Sequence, residues 1–387
     1  MRKILSFFLC LALLISAITF VGCNEQDNNS SDTPPSQDPQ IKTVFMVWDM
    51  RPGSIVVPYV DKAWQYLNAE DANVADYAAS MKNPNKSIRL TWDFGVEELP
   101  DKYIFSYYTS KDPSDVISVT LDKDARSYDL YNLYKDTEYF CSVTYIKGDI
   151  QKTLEVGFDT TDIGPRVMSV DGIYNVRDLG GYATANGKDT VQGLLYRGGA
   201  LTPYGKYDSQ LSEKGEKVMR EVMGIKTDID VRGKGEESGN ITESPITDAK
   251  LEYVKLIAYD EIFTVPENVR YVFSLLADKN NYPIYFHCTG GADRTGTLAF
   301  LINALLGVSL EDLIHDYEFT TFSVYGERNS ASGTKYGTKF QKFLTTLNSY
   351  EGATLSQKTE SYLLSIGVTQ QEINNVKGIM LGEISIN

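Results

Sequence analysis

The sequence predicts two folded modules in series: an all-β sandwich, then an α/β domain with a central, mainly parallel sheet flanked by helices. Three observations carry this prediction. Between about Ile88 and Thr160 apolar residues recur with period two, broken by turn-rich segments. Beyond Gly164-Pro165, strand-like runs alternate with helical ones. The chain, at 387 residues, is also longer than one ordinary domain requires.

In chain order, Arg2 and Lys3 precede an apolar run from Ile4 to Val21, so residues 1–22 read as a secretory signal. The run ends in Phe20-Val21-Gly22-Cys23, which resembles a bacterial lipobox with Phe20 where leucine is usual. That resemblance implies a lipid on Cys23 and an extracytoplasmic body, anchored at the bacterial cell surface or on the periplasmic face. The alternative is an uncleaved membrane helix, since the run is near the shortest that spans a bilayer. Residues 23–41 follow as a tether; Asn24 to Gln40 holds no apolar residue except three prolines and cannot bury enough surface to fold.

Residues 42–165 are assigned to the sandwich, with a core over about 87–161 and with 42–86 supplying a first strand and an extra helix. Ile88, Leu90 and Trp92 alternate with polar residues, as do Tyr139, Cys141, Val143 and Tyr145. Cys141 shares the face of Tyr139 and reads as a core thiol. The stretch Leu133 to Tyr139 resembles the tyrosine-corner region of a fibronectin type III domain, and Trp92 and Phe158-Asp159-Thr160 fit that family.

Residues 166–387 form the second module. Strands are expected over Lys226–Val231, Leu251–Ala258 and Pro283–His287. Thr264-Val265-Pro266-Glu267 predicts a capping box opening a helix to about Asp278. Thr295 to Leu306 is apolar almost all round and stops at Gly307, as a buried helix does. Ser309 and Thr369 are N-cap candidates, the latter with Glu372 at the box position.

Composition narrows the chemistry. Lys plus Arg is 37 against 52 Asp plus Glu, a net charge of −15 that argues against a nucleic-acid partner. Two His and four Cys leave almost nothing from which to build a zinc cluster or a disulfide scaffold, so no metal or cofactor is expected. The informative segment is His287-Cys288-Thr289-Gly290-Gly291-Ala292-Asp293-Arg294-Thr295-Gly296, between an expected buried strand and a buried helix. Such a loop cradles phosphate: glycines let its amides turn inward, and the helix N-terminus adds a positive pole. A thiolate there is stabilised by amides, dipole and guanidinium, which lowers a cysteine pKa from about 8.5 to roughly 4–6. Arg294 has the fork to hold two phosphoryl oxygens.

This loop resembles the signature of cysteine-dependent protein tyrosine phosphatases, and most of all the bacterial tyrosine/serine phosphatase family. Asn175 to Tyr182 with Leu195 to Leu201, and Asp230-Val231-Arg232 with Glu236, resemble two further motifs of that family. Ala292 stands where the family has lysine, and Gly233 where it has serine. The resemblance implies a phosphate monoester hydrolase acting most of all on protein phosphotyrosine through a phosphocysteine on Cys288. Arg294 and the amides of Thr289, Gly290, Gly291 and Ala292 would bind the phosphoryl group, with Thr295 donating to the thiolate. Asp230 and Asp293 are both candidates for the general acid, Asp230 being favoured. His287 is expected to orient the loop beside the substrate site. Arg177, Asp178 and Arg197 come into the substrate-binding set by the same resemblance, although Arg177 and Asp178 could instead fasten their loop to the sheet. Substrates would be phosphorylated proteins or small phosphate esters. A phosphoinositide or inositol-phosphate phosphatase on the same scaffold ranks second, because the missing lysine removes a cation that polyphosphorylated substrates favour and the net charge is acidic. A non-catalytic surface binding protein ranks third, since it would have no need of the thiol.

Overall fold

The computed structural model describes residues 44–47, 55–78, 84–203, 209–235 and 241–386. The expected signal, the tether, Cys23 and Glu236 lie outside the described residues. Among the described residues no helix is long and apolar enough to cross a membrane.

The N-terminal part is β-rich. Its strands are β1 (Val44–Val47), β2 (Ile55–Val56), then, after helix α1 (Asp61–Leu67), β3 (Ile88–Asp93), β4 (Lys102–Thr109), β5 (Asp112–Leu121), β6 (Ser127–Leu130), β7 (Glu138–Lys147) and β8 (Ile150–Thr160). They form a sheet of order β1-β3-β6 facing one of order β2-β8-β7-β4-β5. The period-two pattern is what pairs them: Ile88, Leu90 and Trp92 from one sheet meet Phe105, Tyr139, Cys141, Val143 and Tyr145 from the other in one apolar core. Burial pushes the Cys141 thiol up to about 12, as a core thiol requires. The hydroxyl of Tyr139 accepts a hydrogen bond from the Tyr134 amide at 2.9 Å, closing the corner before β7.

β1 and α1 are the first strand and the helix expected of residues 42–86, but α1 packs away from the sandwich. Val57, Tyr59, Ala63, Tyr66 and Leu67 share a core with Val167, Phe319 and Phe322 of the second module.

The second module is built on a six-stranded sheet. In chain order its strands are β9 (Arg166–Val167), β10 (Arg177–Asp178), β11 (Leu195–Gly198), β12 (Thr227–Asp230), β13 (Lys250–Tyr253) and β14 (Ile284–His287). Spatial order is β13-β12-β14-β11-β10-β9. The first four run parallel, and β10 and β9 are antiparallel at one edge, so the sheet is mixed. Ile284 and Phe286 face one apolar cluster and Tyr285 the other, so β14 is buried on both sides. The larger cluster is roofed by α3 (Pro266–Leu276), α4 (Arg294–Leu306), α5 (Leu310–Glu318), α6 (Gly337–Asn348), α7 (Leu355–Ser365) and α8 (Gln370–Met380); α2 (Glu213–Lys217) is a short helix before β12.

Helix ends test the local reading. Ser309 caps α5, and Thr369 with Glu372 forms a capping box on α8. Gly307 ends α4 at φ 87°. Thr264 does not cap α3: Val265 occupies that position, because Thr264 lies inside a 3₁₀ turn and its hydroxyl donates to the Glu261 carbonyl at 2.7 Å. The strand expected over Leu251–Ala258 stops at Tyr253, after which Val254 and Leu256 bond to Asp230 and Val231 as the chain leaves the sheet.

Arg166 ties the modules together. It pairs with Asp178 at 2.7 Å and donates to the carbonyls of Leu133 and Asn132. If the Tyr139 corner stabilises the sandwich as an ordinary buried hydrogen bond does, Tyr139→Phe should cost about 1 kcal/mol in chemical denaturation. Unchanged stability would show that the bond contributes nothing net.

Candidate active site

The loop from Cys288 to Asp293 joins the end of β14 to the start of α4, the position at which an open α/β sheet presents ligand-binding groups. Its carbonyls are spoken for on the outer side. Thr289 O accepts from the Ala200 amide at 3.1 Å, and Gly290 O from the Asn175 side-chain amide at 2.9 Å. Gly291 O accepts from Arg197 Nη2 at 2.6 Å, and Ala292 O from the Gly296 amide at 3.1 Å. Because a trans peptide points its N–H opposite its C=O, the following amides of Gly290, Gly291, Ala292 and Asp293 are left facing the inside of the loop. That is an anion cradle, built before any ligand arrives.

Two glycines make the close approach possible. Gly291 has φ +63°, and a Cβ there would lie 2.3 Å from the backbone of Gly198. A Cβ on Gly290 would lie 2.9 Å from the ring of Tyr325. Ala292 is only 2% exposed, so its methyl packs against protein rather than facing a ligand.

Cys288 is 3% exposed. Burial alone would raise its thiol, but the Arg294 charge and the hydrogen bonds of Thr295 outweigh burial and hold it below the ordinary range. The Thr295 hydroxyl is buried with no other hydrogen-bond partner, which leaves it for the thiolate. Arg232 brings a second guanidinium: it grips Asp230 through Nε at 2.9 Å and Nη2 at 2.7 Å, and the Cys288 charge helps to keep it protonated.

Asp230 is therefore not free to act as an acid. Burial would raise its carboxyl, but His287 and Arg232 hold it below the usual carboxylate range. An ionised carboxylate has no proton to give a leaving group near neutrality, and the preference for Asp230 is overturned. Asp293 lies on the loop itself with its side chain 33% exposed. Arg328 grips it through Nε at 2.8 Å and Nη2 at 3.0 Å, and Tyr259 donates its hydroxyl at 2.5 Å.

The remaining expected residues stand behind the loop. Arg177 and Arg197 are fully buried and share Asp316, Arg177 through Nε at 2.9 Å and Arg197 through Nη1. Asp178 is taken by Arg166 and by the amides of Gly180 and Gly193. All three are buried and already bonded to other protein groups, so the structure does not place them as substrate contacts. His287 is 2% exposed, with Nε2 3.1 Å from Asp228 Oδ1 and Nδ1 3.3 Å from the Cys288 carbonyl. Burial would lower its pKa, but Asp230 and Asp228 outweigh this and raise it. It is buried behind the loop, against the Cys288 carbonyl.

Asp228, Tyr259, Asp316 and Arg328 were not found by motif. Tyr259, Asp316 and Arg328 reach the site from separate stretches of chain, whereas Asp228 lies on β12 two residues before Asp230. Among the described residues no group of three or more His, Cys, Asp or Glu is placed to hold a metal ion.

The tyrosine phosphatase family profile matches residues 168–382. A Cupriavidus necator protein named as a candidate tyrosine-protein phosphatase is 27% identical over 180 residues, covering 40% of this chain and 63% of its own length. A tyrosine-protein phosphatase of Nostoc commune is 25% identical over 208 residues, covering 42% of this chain and 67% of its own. The chain thus spans about two thirds of the length of these relatives. The core catalytic domain of a PP-IP phosphatase from S. cerevisiae, solved with citrate, overlaps 50% of this chain and 87% of its own at 16% identity and a TM-score of 0.29. The fn3 domain of human collagen alpha-1(XX) overlaps 19% of this chain and 68% of its own at 22% identity and a TM-score of 0.18. Overlaps this low carry no argument.

The thiol makes its own test. Alkylation rate follows the thiolate fraction, so in the wild type it should rise and level off below the pH range of an ordinary thiol. Thr295→Ala removes a donor to the anion and should move that midpoint upward. A wild-type midpoint in the ordinary range, near 8.5, would contradict the assigned electrostatics.

Proposed function

The chain belongs to the tyrosine phosphatase family, and on that premise we propose that it hydrolyses phosphate monoesters with Cys288 as nucleophile. The observation that carries this reading is a buried thiol held below its ordinary pKa beside a loop whose Thr289, Gly290, Gly291 and Ala292 carbonyls are already hydrogen-bonded to other protein groups.

The Cys288 thiolate attacks phosphorus, the S–P bond forms and the ester P–O bond breaks. Arg294, with Arg232 behind it, and the loop amides hold the equatorial oxygens and their charge. The leaving oxygen takes a proton from Asp293, the carboxyl on the rim of the loop. In the second half, water attacks the phosphocysteine, Asp293 accepts the water proton, and the S–P bond breaks. Thr295 steadies the thiolate as it leaves.

Protein phosphotyrosine is the proposed substrate class. Position 292 lacks the lysine of related loops, so nothing there draws a second phosphate. The N-terminal region reads as a fibronectin type III-like sandwich, supported by its two facing sheets and by the Tyr139 corner. The body is proposed to be extracytoplasmic, anchored through lipid on Cys23.

A hydrolysis panel tests the activity. The wild type should cleave phosphotyrosine peptides in preference to phosphoserine peptides and phosphoinositides. Cys288→Ser should lose at least about 10³-fold in turnover while still binding vanadate. Substantial hydrolysis by the serine variant would overturn the thiol mechanism, and a wild type favouring phosphoinositides would reverse the substrate ranking. The anchor is tested by fatty-acid labelling in a bacterial host: Cys23→Ala should lose the label and leave the membrane. A variant that keeps both would show that Cys23 is not the lipid site.

A further inference from the structure

Residues 55–78, which follow β1 and precede β3, reach across to the second module and touch both ends of one loop there. At the near end the Tyr66 hydroxyl donates to Glu318 Oε2, and Glu318 Oε1 accepts from the Ser330 amide at 2.6 Å. At the far end Asn329 Nδ2 donates to Asn73 Oδ1 at 2.7 Å. Between them Tyr59 packs edge-on against Phe319, with ring centres 5.6 Å apart, and Tyr66 packs against Phe322 at 5.7 Å. Residues 318–330 are thus clamped at their start and finish by side chains of the N-terminal region.

The clamped loop bears directly on the signature loop. Arg328, which grips Asp293, is itself pinched by Thr321: the Thr321 hydroxyl accepts from the Arg328 amide at 2.9 Å and donates to its carbonyl at 3.1 Å. Its guanidinium lies 3.9 Å from the centre of the Tyr336 ring. Tyr325 packs so closely on Gly290 that a Cβ there would collide with its ring. Thr320 Oγ1 accepts from Asn175, the residue that also holds the Gly290 carbonyl. Of the groups that fix Asp293 and the outer wall of the cradle on this side, Arg328, Tyr325 and Thr320 belong to residues 318–330, and Tyr259 holds Asp293 from a separate turn.

We propose that Tyr66 and Asn73 are positioning residues for catalysis: by clamping residues 318–330 they set Arg328 against Asp293 and Tyr325 against Gly290. The N-terminal region is then part of the catalytic apparatus rather than a spacer. Glu318 is the joint of this brace. It is 4% exposed and its two oxygens serve the two modules, one each. Losing the Tyr66 hydroxyl leaves a buried carboxylate short of a partner, which favours rearrangement of the loop. The signature loop keeps its other supports, Arg197 on Gly291 and Ala200 on Thr289, so phosphate binding should survive.

The proposal rests on the phosphatase reading, and the test separates the two. Wild type, Tyr66→Phe, Asn73→Ala and the double variant are compared on aryl phosphates with good leaving groups and on phenyl or alkyl phosphates with poor ones. Vanadate affinity and thermal unfolding are measured in parallel. A displaced Asp293 matters most where the leaving oxygen needs a proton, so the double variant should lose about 10-fold in kcat on poor leaving groups and less than about 2-fold on good ones, with KM and vanadate affinity nearly unchanged. Equal losses on both substrate classes, or none, in a folded double variant would overturn the positioning role. Should the double variant unfold, Asn73→Ala decides by the same ratio, since Asn73 is exposed and its loss leaves the apolar contacts intact. A wild type that hydrolyses no phosphate ester would instead bring down the phosphatase reading, and with it the role proposed here.

Discussion

A thiol buried at the end of a central strand and held below its ordinary range is the constraint on which the rest depends. A charge taken out of water is expensive unless fixed dipoles and opposite charges replace the solvent. Here the replacements are the Arg294 guanidinium, the Thr295 hydroxyl, the inward amides and the N-terminal end of a thirteen-residue helix. Each has a structural demand behind it. The amides face in only because four carbonyls are bound from outside, and α4 can start where it does only because it is buried along its length.

Those outside supports are themselves buried charges, each arginine bonded to a buried aspartate and two of them sharing one. Asp316 holds Arg177 and Arg197, Asp178 holds Arg166, and Asp230 holds Arg232. Removing one partner from such a pair commonly costs about 3–5 kcal/mol, because the other charge is left buried and alone. Their value lies less in net stability than in geometry. Arg197 reaches from Asp316 to the Gly291 carbonyl, and Arg166 reaches from Asp178 to the sandwich. The apolar clusters fill space around the loop; the ion pairs decide where it stands.

The parts written in local sequence could be read there. The strand–loop–helix around Cys288, the glycine stop of α4 and the caps at Ser309 and Thr369 all rest on residues within a few positions of one another. The alternation in β3 and β7 likewise placed Cys141 in a core. What was misread turns on partners distant in sequence. Arg177 and Asp178 take the structural alternative that their motif leaves open, and Arg197 looks available until Asp316 is seen to hold it. Asp230 looks like an acid at a strand end until Arg232 is found on it. Arg328 lies 35 positions beyond Asp293, with no periodicity or spacing to announce it. The Thr264 cap failed for a different reason: the preceding turn had already claimed its hydroxyl.

The central claim is that the phosphoryl group passes through Cys288. The most direct measurement is mass spectrometry of wild-type protein quenched in acid during turnover of an aryl phosphate, with digestion and mapping of any phosphoryl adduct. The adduct is expected on the peptide that carries Cys288, and on no other. Steady turnover with the adduct on a different residue, or with none on Cys288 even when Asp293→Asn slows its hydrolysis, would contradict it.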